Sequence, residues 1–111
     1  MRIYKRKDFL ALPEGTIYAK GVPWAFHDLN VKGATWGNDW LYTSPMEIEA
    51  QDSDEQCARM EAMLEEGASY PMRESCGRDG CFDDEELFLV LEKADLEKLR
   101  AMVDAALAVA K

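Results

Sequence analysis

Residues 87–91 read LFLVL, five apolar residues without a break. Five residues suit a strand better than a helix. Both alternating sets are apolar, so the run predicts a central β-strand covered on both faces. Downstream the period changes. Across residues 95–110, Leu96, Leu99, Val103, Ala106 and Leu107 recur at three- and four-residue spacing, the stripe of an amphipathic helix. Upstream, residues 68–82 contain Pro71, Gly77 and Gly80 and read as loop. Before them, residues 53–66 predict a second helix. Ser53 followed by Gln56 is a capping-box pattern, Asp52, Asp54 and Glu55 suit the positive end of the helix dipole, and Gly67 stops it. Its apolar stripe is Cys57, Met60, Met63 and Leu64.

The first part of the chain has the period of strands. Residues 2–5 predict a short strand or lead-in, and residues 7–12 a helical turn or two that stops at Pro13. Pro13-Glu14-Gly15 is a turn, residues 16–20 are β-prone, and Gly21-Val22-Pro23 punctuates them. Residues 26–36 alternate in part and break at Gly33, giving two short strands or one bent strand. Gly37-Asn38-Asp39 signals a hairpin, with residues 40–48 as the return strand, broken by Pro45. The expected fold is α+β: one domain over residues 1–111, a mainly antiparallel sheet with two helices packed on one face.

Charge divides the chain. Residues 1–36 hold six Lys or Arg against three Asp or Glu, a local net of +3, whereas residues 37–111 carry −12. The total of −9 argues against direct nucleic-acid binding and against an anionic membrane surface. No stretch approaches the roughly 20 apolar residues of a membrane span, and the basic start lacks the apolar run of a secretory signal. Three cysteines fit reduced thiols in a cytoplasm.

Candidate chemistry is sparse. His27 is the single histidine, so a multi-histidine metal site is excluded; it reads as a strand or turn residue unless Asp28 or a cysteine joins it. Cys76 and Cys81 flank Gly-Arg-Asp-Gly, and a zinc site would have to recruit both remaining candidates, Cys57 and His27. Free loop thiols are the simpler reading, with Cys57 as core filler. The run Asp83 to Glu86 lacks the alternating ligands of an EF-hand and reads as an acidic turn. No Gly-rich phosphate loop is present. No catalytic residue, metal or cofactor is expected.

The least ordinary feature is aromatic. Trp24, Phe26, Trp36, Trp40 and Tyr42 are interleaved with Lys20 and Lys32. Rings of this kind build small cores, but an aromatic can also stack on a nucleobase while a nearby cation neutralises phosphate. Lys20, Trp24, Lys32, Trp36 and Trp40 are therefore the candidate ligand-binding set. Arg73 and Arg78 join them from a loop that either folds over the pocket or offsets nearby acids.

Residues 2–21, RIYKRKDFLALPEGTIYAKG, and residues 78–99, RDGCFDDEELFLVLEKADLEKL, resemble small accessory proteins encoded by bacteriophages and prophages. Those share a basic–Phe-Leu–Leu-Pro-x-Gly-Thr opening and an acidic turn, apolar strand and helix at the end. The resemblance implies a context, a phage gene product that interferes with host defence or machinery in the bacterial cytoplasm. It brings no catalytic motif. The expected function is non-enzymatic sequestration of a small anionic, nucleotide-like ligand. The alternative is an acidic inhibitor that mimics nucleic acid or blocks a basic site on a host protein. A pocket shared across a two-fold axis suits so short a chain, so homo-oligomerisation belongs to the expectation.

Overall fold

The computed structural model describes residues 1–80 and 82–111. Its elements run β1 (Arg2–Lys5), α1 (Arg6–Leu10), β2 (Ile17–Val22), β3 (Ala25–Trp36), β4 (Asp39–Thr43), α2 (Ser53–Glu66), β5 (Gly77–Arg78), β6 (Leu87–Val90) and α3 (Lys93–Val109). The six strands form one antiparallel sheet in the order β1-β6-β2-β3-β4-β5. The fold is α+β.

Residues 87–90 of the apolar run form an internal strand, hydrogen-bonded to β1 on one side and β2 on the other. Only one of its faces is closed. Phe88 and Val90 are buried, while Leu87 and Leu89 are half-buried. Phe9 of the five-residue α1 closes that face, stacking on Phe88 at 4.0 Å between ring centroids and meeting Tyr18 and Trp40 edge-on. These residues and Val90 are the buried apolar core. Rings in offset and edge-to-face contact contribute beyond the area they bury.

The long helices depart from the expected packing. Residues 53–66 form α2 as read, with Asp52 rather than Ser53 as N-cap, its carboxylate accepting from the Glu55 N–H, and Gly67 closing the helix in the left-handed region. Asp95 accepts from the Glu92 N–H at the start of α3. Neither α2 nor α3 has a buried residue, and Cys57, expected in the core, is exposed. Helical period shows that a face is apolar; it does not say what lies against it.

Residues 26–36 belong to one long strand whose register shifts between Lys32 and Thr35, at Gly33. A Cβ on Gly33 would crowd Leu41 at 3.2 Å, so the bulge sits where the chains approach closely. The return strand stops at Thr43, and Ile48 makes an isolated bridge to Met72. The stretch read as loop supplies that bridge and β5, which extends the sheet beyond β4. No helix among the described residues is long and apolar enough to cross a membrane.

Candidate functional site

The predicted ligand set is scattered by the sheet. Trp40 is 0% exposed, and its indole N–H donates to the Tyr18 hydroxyl at 2.8 Å. Its ring is enclosed by Phe9, Tyr18, Phe88 and the Arg6 guanidinium, 5.0 Å from the ring centroid. Trp40 is thus core and offers no face to a ligand. Lys32 is 2% exposed. Its ammonium donates to Thr35 Oγ1 at 2.6 Å and to the Gly33 carbonyl at 3.4 Å, and lies over the Phe9 ring. Burial lowers its pKa. The cause is strand alternation: Lys32 pairs with Tyr42 and Thr35 with Trp40, which turns both side chains to the core face.

The remaining cations are matched by carboxylates. Lys20 Nζ lies 2.8 Å from Asp79 Oδ1 and 3.8 Å from Glu86 Oε1. Arg73 contacts Glu47 at 2.7 Å, and its Nε donates to Ser75. Arg78 pairs with Asp39. Burial alone would raise the Asp39 carboxyl, but Arg78 and the backbone N–H groups of Trp40 and Gly80 together hold it below its ordinary value. Glu86 shows the opposite balance. Burial raises its pKa against the pull of Lys20, and among the described residues its Oε1 has no hydrogen-bond partner. Of the two readings for the arginine loop, its side chains offset acids.

Two tryptophans remain available. Trp24 is 83% exposed and Trp36 is 69% exposed. Trp24 sits in the two-residue loop between β2 and β3, next to the Val22–Ala25 pair. Gly21 permits that hairpin, because a Cβ there would meet the Ala25 carbonyl oxygen at 2.0 Å. The turn holds the indole in an open concavity of about 480 Å³, lined also by Lys5, Val22, Pro23, Asp84, Glu85 and Leu87. Here an exposed ring, an aliphatic floor and two carboxylates converge, with Lys5 the one cation among the described lining residues. Sequence reading found the ring and the acidic run separately; only the fold places them together. On the other hairpin Trp36 lies beside Gly37, whose φ of 61° suits the tight turn, and the Arg78 guanidinium is 5.9 Å from the Trp36 ring centroid. These line a smaller concavity of about 280 Å³.

Candidate metal ligands are not gathered. Among the described residues no cluster of three His, Cys, Asp or Glu side chains could hold an ion. Cys76 is exposed, with its Sγ 3.4 Å from Thr43 Oγ1; Cys81, and with it the Cys76–Cys81 pairing, lies outside the described residues. Comparison with protein-family models, with curated proteins and with solved structures finds no match to this chain.

Proposed function

We infer that this is a binding protein without turnover, and that its Trp24 concavity takes a basic segment of a partner protein. The observation that carries the reading is the convergence of the exposed Trp24 ring with Asp84 and Glu85 in one concavity. A Lys or Arg side chain laid on that ring gains a cation–π contact, and the carboxylates supply its counter-charge. The −12 of residues 37–111 steers a basic partner and repels phosphate. The resemblance to phage accessory proteins supplies the setting, a basic site on a host protein in the bacterial cytoplasm.

A second reading keeps the anionic ligand and moves it. Trp36 and Arg78 are two members of the predicted set that do meet, and a nucleobase stacked on Trp36 would bring its phosphate toward Arg78. Asp39 already holds that guanidinium, which favours the first reading.

Tryptophan fluorescence and thermal shift with two probes separate them: a hexa-arginine peptide and a panel of mono-, di- and cyclic nucleotides. The expected result is a saturable, salt-sensitive response to the peptide that is lost in Trp24→Ala and weakened in Asp84→Asn/Glu85→Gln. Equal peptide binding by Trp24→Ala overturns it. So does nucleotide stabilisation approaching the roughly 2.7 kcal/mol of a ligand at a hundred times its Kd, removed by Trp36→Ala.

A further inference from the structure

The molecule exposes more surface than a chain of its mass needs to. Its accessible area is 7987 Å² for 12.6 kDa. The area scaling of folded monomers gives roughly 6,200 Å² at that mass, so the excess is about 1,800 Å². The radius of gyration is 15.7 Å, where a compact domain of this length has about 13 Å. Exposed apolar side chains line α3. Leu96, Met102, Val103 and Leu107 of α3 are exposed, Leu107 at 68%, and Leu99 is half-buried. A 17-residue helix without buried residues draws little on tertiary packing, which is what usually stabilises helices in proteins.

We propose that α3 is the seam of a homodimer, packed antiparallel against α3 of a second copy. Three observations select a second copy. The excess, about 1,800 Å² per chain and shared with α2, leaves room for the roughly 800 Å² per partner of a stable interface. The stripe Leu96, Leu99, Val103, Ala106 follows the alternating 3–4 spacing of a coiled-coil seam, with small Ala106 allowing close approach. Charge decides between α2 and α3. Within a chain of net −9, α3 is neutral, with Lys93, Lys98 and Arg100 balancing Asp95, Glu97 and Asp104. An antiparallel pair centred on this stripe brings basic residue 98 level with acidic residue 104 of the other copy, and basic residue 100 within one turn of it. Helix α2 carries one Arg against five acids and would repel its own copy. The seam lies apart from the Trp24 concavity and does not depend on how that concavity is used.

Sedimentation equilibrium of the full chain reads the state directly. The expected mass is twice 12.6 kDa at micromolar concentration. Val103→Lys should sediment at the single-chain mass with the near-UV circular dichroism of the Trp40 cluster unchanged, and Trp24→Ala should stay dimeric. Arg100→Glu, at an exposed position, should weaken the dimer at least tenfold, and Arg100→Glu/Asp104→Arg should restore it. A wild-type chain that stays monomeric at 100 µM overturns the proposal, as does a folded Val103→Lys that remains dimeric. Failure of the charge exchange to restore association overturns the antiparallel pairing.

Discussion

Trp40 and Tyr18, on β4 and β2, are joined by a hydrogen bond across the core, the indole N–H donating to the phenol oxygen at 2.8 Å with both side chains fully buried. Burial drives the Tyr18 phenol above its ordinary pKa. Trp40→Phe keeps an aromatic ring but leaves the phenol without this donor, at a cost of about 1–3 kcal/mol. Trp40→Ala should cost about 3–5 kcal/mol through the cavity it opens. Trp24→Ala, on an exposed turn, should stay within about 0.5 kcal/mol of the parent. Urea unfolding followed by circular dichroism checks the series, and a Trp24→Ala loss as large as that of Trp40→Ala would show the turn to be structural.

The acids around Lys20 should answer neutralisation differently. Asp79, nearly buried, receives a hydrogen bond from Lys20, so Asp79→Asn should destabilise by about 1–3 kcal/mol. Glu86 is already pushed toward its neutral form, so Glu86→Gln should leave the melting temperature at pH 7 unchanged or raise it. A fall for Glu86→Gln as large as that for Asp79→Asn would mean that Lys20 depends on both.

Acid sensitivity should report on Asp39. Its folded-state pKa lies below the ordinary value of 3.8, so the unfolded chain takes up this proton first as pH falls. The stability it contributes is present above about pH 4 and is lost as pH drops through the folded value. Asp39→Asn should therefore be less stable than the parent at pH 7, by about 1–3 kcal/mol, with the gap closing as pH falls below about 4. A gap independent of pH would assign the effect to packing.

Lys32 should be dispensable for folding. Among the described residues its ammonium is buried with a hydroxyl and a carbonyl as hydrogen-bond partners and no carboxylate, and its lowered pKa shows that these bonds do not make up for its desolvation. Lys32→Met should stabilise the domain by about 1 kcal/mol at pH 7. Because the folded pKa is lowered, the cost to the parent is relieved as pH rises toward the unfolded value of 10.5, and the two proteins should converge there. Equal unfolding midpoints at pH 7 would show that the ammonium reaches solvent.

What could be read from sequence followed the range of the forces involved. The strand at Leu87, the Gly37-Asn38 hairpin and the Gly67 stop of α2 are set by neighbours within a few residues, and each appears where local pattern places it. The candidate site depended on partners far along the chain. Lys20 meets Asp79 across 59 residues and Arg78 meets Asp39 across 39, so cations that stood beside tryptophans in sequence face carboxylates in space. Strand alternation turned Lys32 and Trp40 inward together, although interleaving of aromatics and cations looked like a surface device. The apolar stripes of α2 and α3 were legible as stripes, and their lack of cover was not, because amphipathicity records a demand for a neighbour and no address for it.

The placement of β6 between β1 and β2 has a kinetic consequence. Strand β1 pairs with β6, so its ladder closes a span of roughly 80 residues, against two for the hairpins; loop closure alone makes that about 3 kcal/mol harder. The β2–β3–β4 meander can form as soon as it leaves the ribosome, but Phe88 and Val90, which complete the core under Phe9, arrive about 50 residues later. Until then the aromatic face of Tyr18 and Trp40 stands open beside an unpaired strand edge. Synthesis is thus the interval in which this chain is most exposed to aggregation, and commitment to the native state waits on its last strand.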